Sequence, residues 1–176
     1  WEHGVPQGTK YLWYPLQPSS GAGGAGDPAW FTGPFGFWST GELKGSTTLT
    51  SAAFDLSGLY APILIFDLWY VALDRGEDGE VSNSTKVHLV VKASDNDGSS
   101  WTKVDEISGD PHNWDSYEIS LRGKISSTKK VRFRFIATDE LGAEERLVEV
   151  GIDNVAVISL SSNCDPGGCG CASTHN

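Results

Sequence analysis

The strongest indication of the fold is the stretch Ile63-Leu64-Ile65-Phe66-Asp67-Leu68-Trp69-Tyr70-Val71, in which all but one of the residues are hydrophobic. β-Branched and aromatic side chains dominate it, and these residue types favour strands over helices. We therefore predict a central β-strand at this position. The exception is Asp67, whose carboxylate needs a cation, an arginine partner or a strand-end position, since burying an unpaired charge is costly.

Alternating patterns on both sides of this stretch predict further strands. Hydrophobic residues alternate with polar or charged ones in 86–93 and 131–136, as expected for strands with one buried face. The other clear candidates are 101–107, 115–121 and 147–160, separated by clusters of Gly, Asp, Asn and Ser. Roughly 8–10 strands at this spacing, with no helical periodicity, predict an all-β fold, an antiparallel two-sheet β-sandwich of the jelly-roll type.

Length and composition indicate one domain with a terminal appendage. The chain has 176 residues, of which 39% are hydrophobic and 20% charged, and this is a globular composition. We assign residues 1–160 to the β-sandwich. Residues 161–176 are rich in Gly and Ser, hold all three cysteines and follow the last predicted strand, so we predict a flexible tail or linker there. The Gly/Ala/Ser-rich stretch 18–28 predicts a flexible surface loop.

Charge and the length of the hydrophobic stretches argue against two kinds of association, with nucleic acid and across a membrane. The chain carries 23 acidic and 13 basic residues, a formal charge of −10, whereas nucleic-acid binding depends on Lys and Arg that neutralise phosphates. No stretch of the sequence approaches the ~18–20 consecutive apolar residues of a transmembrane helix. We therefore predict no nucleic-acid partner and no membrane span.

The sequence contains no recognisable catalytic motif. Its histidines are His3, His88, His112 and His175, and none forms a pattern with a Ser or Cys nucleophile. GxSxG, HExxH and a phosphate-binding glycine loop are also missing. A glycosidase-type pair of carboxylates stays open, because 23 acidic residues produce close pairs by chance. We predict that the chain is not an enzyme.

Several sequence blocks together carry a family resemblance, and four of them show it most clearly. Trp1-Glu2 resembles an opening aromatic-Glu pair, and 48–58 resembles an LTSPxxDLSG element in which Ala52 replaces the usual Pro. Residues 131–135 resemble a VxxRF block, and 151–155 resemble a closing iDnV block. In order and spacing these blocks are similar to the MAM-like jelly-roll domains, of the choice-of-anchor type, found in secreted bacterial peptidases and surface proteins.

The resemblance implies an accessory module with an extracellular or cell-surface location rather than a particular activity. Jelly-roll relatives often hold a calcium ion between the first and last strands, and the matching positions here are Glu2 and Asp153. Asp67 is a weaker third candidate ligand. Because calcium takes about 6–8 oxygen ligands, the resemblance implies a structural calcium site. Surface or salt-bridged carboxylates are the alternative.

Two acidic loops are interpreted as turns. Residues 74–80 have the Asp, Glu and Gly content of a calcium loop but lack the EF-hand spacing, so we predict a solvated turn. Residues 94–101 resemble an Asp-box hairpin with Asn96 at the usual Asp position. We expect a structural turn there, packed by Trp101.

Aromatic residues near the N-terminus are candidate ligand contacts. Trp13, Tyr14, Trp30 and Trp38 lie in a Gly/Pro-rich region with weak strand signals. Some of them are expected to cover the core, while exposed ones would stack on sugar rings or contact a protein.

The tail contains an unusual cluster of soft ligands. Cys164, Cys169, Cys171 and His175 have the spacing C-x4-C-x-C-x3-H, which is not a standard zinc motif. In an oxidising compartment we expect one short disulfide and one odd cysteine, which could pair between subunits. Metal binding and free thiols remain alternatives.

Two functions compete at this point. The first is a non-catalytic extracellular binding or adhesion module, stabilised by calcium, that recognises a surface glycan or protein. The second is a structural subunit of an extracellular filament or surface assembly, in which copies of the chain associate through β-strands. Asn83 begins a sequon for N-glycosylation, which matters only if the source glycosylates secreted proteins.

Overall fold

The computed structural model describes residues 1–11, 13–33, 45–76, 80–84, 87–108, 112–139 and 146–159. Within these ranges the chain forms strands and no helix, so it contains no helix that could cross a membrane. The strands are β1 (Glu2–Gly4), β2 (Lys10–Tyr11), β3 (Tyr14–Pro15), β4 (Ala29–Phe31), β5 (Gly45–Thr50), β6 (Pro62–Arg75), β7 (Val81–Asn83), β8 (Val87–Ser94), β9 (Thr102–Ile107), β10 (Asp115–Ser120), β11 (Arg132–Asp139) and β12 (Arg146–Ser159). The predicted all-β class is confirmed.

Two antiparallel sheets make up the domain. The larger sheet has the order β1-β4-β12-β6-β10, and β7 pairs with the far end of β6. The smaller sheet has the order β5-β11-β8-β9, and β2 and β3 form a separate short hairpin. Strands distant in sequence lie next to each other in both sheets, which gives the predicted antiparallel β-sandwich of the jelly-roll type.

The inner core lies between the two sheets. Alternate residues of β6, among them Leu64, Phe66 and Tyr70, are buried there against Phe133 and Phe135 of β11. Phe66 and Phe135 meet edge to face, with ring centroids 5.0 Å apart, which is a favourable geometry for aromatic pairs. The alternation predicted for β8 and β11 is confirmed, because their hydrophobic faces line this core.

A second hydrophobic cluster lies on the outer face of the larger sheet, the face that points away from the smaller sheet. Here Trp69, Val71 and Leu73 of β6 are buried beneath the N-terminal segment, which contributes Leu16 and Phe31. The Trp69 indole N–H donates to the carbonyl oxygen of Leu16 over 2.8 Å. Strand β6 is therefore covered on both faces from Trp69 to Leu73, which explains why the sequence of this part of the strand is hydrophobic without a break.

Within the described part of the chain, the N-terminal segment covers only part of the outer face. Beyond Asp67, the outward side chains of Ile65 and Ile63 are only half-buried. A β-bulge interrupts β12 at this level, between Asp153 and Ala156, and Asn154 within it adopts a left-handed φ of 50°. Bulges of this kind re-aim side chains, and this one presents Asn154 to the uncovered part of the sheet.

Candidate functional site

Asp67 lies on the outer face, where two neutral side chains hold its carboxylate. One oxygen accepts a hydrogen bond from the Ser116 hydroxyl at 2.5 Å, and the other accepts one from the Asn154 amide at 2.8 Å. Ser116 is the β10 residue directly opposite Asp67, and Asn154 reaches it from the bulge of β12. Asp67 is half-exposed and accepts these two hydrogen bonds, which together explain how a carboxylate is tolerated within this hydrophobic strand.

These residues line an open cleft of about 260 Å³. Its lining is Ile65, Phe66, Asp67, Ser116, Tyr117, Glu118 and Asn154. The volume is slightly below the range of about 300–1,000 Å³ for small-molecule pockets, so the cleft has room for one small group rather than a large ligand. Its polar groups sit on three neighbouring strands, which hold them in a fixed arrangement.

A pair of carboxylates lies beside the cleft, where the glycine-rich loop meets β12. Asp153 accepts hydrogen bonds from the backbone N–H of Ala22 at 2.9 Å and of Asn154 at 2.7 Å. Asp27 accepts one from the backbone N–H of Gly23 at 2.8 Å. Burial raises the pKa of Asp153, and the neighbouring Asp27 carboxylate adds to the shift. The two side chains are thus close enough to repel each other when both are ionised.

Gly21 provides the space in which these carboxylates meet. A Cβ atom on Gly21 would lie 2.7 Å from Asp27 Oδ2, 2.8 Å from Asp153 Oδ2 and 2.9 Å from the Asp27 carbonyl oxygen. Backbone hydrogen bonds among Gly21, Gly24 and Asp27 close the loop on itself. The stretch 18–28, predicted as a flexible loop, is therefore tied internally and to the last strand.

The structure does not assemble the three predicted metal ligands into one site. Asp67 and Asp153 are directly opposite each other on β6 and β12, whereas Glu2 lies on β1, separated from β12 by β4. Among the residues that the structure describes, no group of three or more His, Cys, Asp and Glu could hold a metal ion. Calcium stays a prediction, and the neighbour that sequence reasoning missed is Asp27.

Two carboxylates and a carbonyl oxygen are a suitable donor type for calcium, which prefers oxygen ligands. Carboxylate oxygens of Asp27 and Asp153 approach Gly21 from the same side, and the backbone N–H groups of Ala22 and Gly23 already donate to them. A divalent cation would also neutralise the repulsion between the two carboxylates. Asp27 is therefore a further candidate ligand beside Asp153, although no set of three or more acidic, His or Cys ligands comes together among the described residues.

The predicted aromatic contacts do not form one platform in the described residues. Trp13 is 77% exposed at the β2–β3 turn, whereas Tyr14 packs against the outer-face cluster. Trp30 lies on β4 opposite His3, and their ring centroids are 4.7 Å apart. Its neighbours Ala29 and Phe31 join the outer-face cluster, so Trp30 points to the other side of the sheet. Trp38 lies outside the described residues.

The predicted disulfide or intersubunit contacts of Cys164, Cys169 and Cys171 also lie outside the described residues, together with the tail 161–176. Asn83 is exposed on β7. Residues 94–101 form the predicted hairpin, in which the Trp101 indole N–H donates to the Gly98 carbonyl oxygen over 3.0 Å.

Glu149 is a buried carboxylate that the sequence did not single out. It lies on β12 with 0% exposure, and one of its oxygens accepts hydrogen bonds from the Gly33 backbone N–H at 2.8 Å and the Thr32 hydroxyl at 3.0 Å. Burial raises its pKa to about 7, although these hydrogen bonds act in the opposite direction. Hydrophobic periodicity gives no signal for a buried carboxylate, because Glu149 occupies a position that the pattern predicts to lie on the polar side of β12.

Comparisons with known proteins add little at the level of sequence. No family model matches the chain, and no curated protein matches it. Among solved structures, it is similar to the carbohydrate-binding module TmCBM61, solved in complex with β-1,4-galactotriose, with a TM-score of 0.40 and 11% identity over 77% of this chain and 72% of that one. At this similarity the match identifies neither a family nor a ligand for this chain.

Proposed function

We propose that the chain is a non-catalytic binding module of a secreted or cell-surface protein, and that its cleft binds a neutral carbohydrate. The main support for this proposal is the arrangement of Asp67, Ser116 and Asn154, which are joined by hydrogen bonds in an open cleft. Bound sugars offer several hydroxyl groups at once, and these need acceptors and donors held in place. The motif blocks that resemble MAM-like domains support the accessory role and the extracellular location.

The chemistry of the cleft favours neutral sugars over acidic ones. Asp67 and Glu118 carry negative charge, which repels anions, while their oxygens accept hydrogen bonds from hydroxyl groups. Ile65 offers an apolar surface beside them, against which the C–H face of a sugar ring can pack. Because rigid strands already hold the polar groups, little ordering is needed when a ligand binds.

Calcium has a structural part in this proposal. We place it with Asp27 and Asp153, where it would connect the glycine-rich loop to β12 next to the cleft. The ion would stabilise the loop rather than contact the sugar, so its removal should weaken the fold before it weakens binding.

Affinity electrophoresis tests the proposal, with neutral gluco-, manno-, galacto- and xylo-polysaccharides in the gel. We expect retardation by at least one polymer, and we expect Asp67→Asn and Ser116→Ala to reduce it several-fold, because a lost hydrogen bond weakens binding by about 0.5–1.5 kcal/mol. The matched controls are Asp105→Asn, at a half-buried position of the smaller sheet, and Ser99→Ala, at an exposed position of its hairpin. No retardation by any polymer, or equal losses in the controls, would contradict the proposal.

Assembly of copies through sheet edges is the second candidate function. Strand β5 is an edge strand of six residues, Gly45–Thr50, whose outward side chains are exposed, and edges of this kind can accept another strand. Sedimentation over a wide range of protein concentrations separates the two functions, because a binding module stays monomeric without ligand.

A further inference from the structure

Three basic side chains form a row across the outer face of the smaller sheet. Arg134 of β11 is directly opposite Lys92 of β8, and Lys92 is directly opposite Lys103 of β9. All three point away from the inner core, because the residues flanking Arg134 and Lys92 along their strands are buried in it: Phe133, Phe135, Val91 and Ala93. We refer to Arg134, Lys92 and Lys103 as the cationic row.

The cationic row is unfavourable in the free protein. Like charges directly opposite on neighbouring strands destabilise a sheet, and strands lie only about 4.8 Å apart. Lys103 is neutralised by Glu106, with 2.8 Å between Nζ and Oε2. Within the described part of the chain, Arg134 and Lys92 have no acidic partner. A chain with 23 acidic residues and a charge of −10 thus keeps two adjacent cations unneutralised.

Trp101 holds the Arg134 guanidinium in position. The guanidinium carbon lies 3.9 Å from the centroid of the Trp101 ring, well within the range of cation–π contacts. Arg134 Nε donates to the Thr50 hydroxyl over 3.3 Å. The two terminal nitrogens have no partner among the described residues, so the planar fork that binds carboxylate and sulfate is fixed and available.

We propose that the cationic row binds the carboxylate or sulfate groups of an acidic polysaccharide. The charges follow one line across the strands at intervals of about 5 Å, which suits a chain that carries an anionic group on successive units. Hydroxyl groups of Thr50 and Thr48 lie along the same face as the apolar side chains of Ile136 and Val90. An open face that combines cations, hydroxyls and apolar carbons matches a hydroxylated polyanion.

A net charge of −10 repels every polyanion, so binding must rest on the local geometry of the Arg134 fork, and single-stranded DNA is the comparison that separates this from general attraction to polyanions. The proposal is also independent of the cleft, which lies on the opposite sheet and carries negative charge. Binding at the cationic row can therefore fail while neutral sugar binds in the cleft, and the reverse is equally possible.

Isothermal titration with polygalacturonate and heparin tests the proposal on the full chain, with dextran as the neutral polymer. We expect binding to one or both acidic polymers that weakens as salt is added. Arg134→Gln and Lys92→Gln should each weaken it at least five-fold. Arg134→Lys should weaken it too, because it keeps the charge but loses the fork. Arg122→Gln is the charge-matched control at a cation outside the row, packed over Tyr60, and should change affinity less than two-fold.

Three outcomes would overturn the proposal. The first is an equal loss in Arg122→Gln, which would indicate attraction to the whole surface. The second is equal affinity for single-stranded DNA, which would indicate a general polyanion effect. The third is self-association that Arg134→Gln abolishes without any polysaccharide binding, since this would make an acidic surface of a second copy the occupant. Thermal melts of each variant confirm that the fold is intact.

Discussion

Asp67 and Asp153 face each other directly on β6 and β12, yet their carboxylates turn to different partners. Asp67 takes hydrogen bonds from Ser116 and Asn154 at the cleft, while Asp153 takes one from Ala22 and lies beside Asp27. Opposed like charges destabilise a sheet, so each carboxylate depends on its own local bonds. This pair of residues separates the candidate sugar site from the candidate calcium site.

Calcium should stabilise the domain through Asp27 and Asp153. We expect added calcium to raise the melting temperature of the wild-type chain by several degrees, because an ion that binds only the folded state shifts the unfolding equilibrium. Asp27→Asn and Asp153→Asn should each abolish the increase. Differential scanning calorimetry with calcium and with EDTA measures it.

Controls for the calcium prediction use carboxylates elsewhere. Asp105→Asn and Asp67→Asn should keep the full calcium-dependent increase, since neither residue contributes an oxygen to the space beside Gly21. A calcium effect that is lost in Asp67→Asn but retained in Asp27→Asn would support the ligands expected from the sequence and contradict the placement beside Gly21.

Gly21→Ala should destabilise the domain. The new Cβ would approach the Asp27 carbonyl oxygen to 2.9 Å, in addition to two carboxylate oxygens, and backbone cannot move aside as easily as a side chain. We expect a loss of about 1–3 kcal/mol in the free energy of unfolding, measured by urea denaturation. Ser20→Ala in the same loop should change it by less than about 0.5 kcal/mol.

Glu149 should make stability fall as the pH rises towards neutrality. Burial raises its pKa from 4.5 to about 7 in the folded state, so between these values the folded chain holds more protons than the unfolded chain. The stabilisation is complete below about pH 4.5 and lost once the pH exceeds about 7, with a total of roughly 3 kcal/mol. Urea denaturation at intervals from pH 4.5 to 8 follows the change.

Glu149→Gln isolates this contribution. The variant keeps an oxygen for the Thr32 and Gly33 donors but cannot ionise, so it should be more stable than the wild type at pH 8 and show a shallower slope. A slope as steep in Glu149→Gln as in the wild type would show that Glu149 is not the titrating group.

Trp69→Phe should loosen the N-terminal segment from the larger sheet. The substitution removes the hydrogen bond to the Leu16 carbonyl and leaves that buried oxygen without its donor, at a cost of about 1–3 kcal/mol. Hydrogen exchange should become faster in residues 13–33 and stay unchanged in β8 and β11. Uniformly faster exchange across both sheets would contradict a local anchoring role.

The sequence was a good guide to the sheets because hydrophobic periodicity reports burial directly. The run at 63–71, hydrophobic except for Asp67, predicted a central strand, and β6 is indeed covered on both sides along half its length. Alternation in 131–136 predicted the inward and outward faces of β11 correctly. The Asp-box hairpin and its packed Trp101 also followed from local turn chemistry.

The sites could not be predicted in the same way, because they depend on contacts between distant residues. Asp27 meets Asp153 only after the glycine-rich loop folds onto β12, and a loop of that composition carries no signal of a partner. The hydrogen bonds of Asp67 come from residues 49 and 87 positions away. The cationic row likewise depends on register across β11, β8 and β9, which sequence periodicity does not specify.

Binding in the cleft is most directly tested by NMR titration of the isotope-labelled chain with neutral oligosaccharides of glucose, mannose, galactose and xylose. We expect at least one of them to shift the backbone resonances of Ile65, Asp67, Ser116, Glu118 and Asn154, saturably and without cleavage of the sugar. Resonances of β5, β8 and β11 should stay in place. Shifts confined to other surfaces, no shifts with any sugar, or hydrolysis of the oligosaccharide would contradict a non-catalytic carbohydrate site in this cleft.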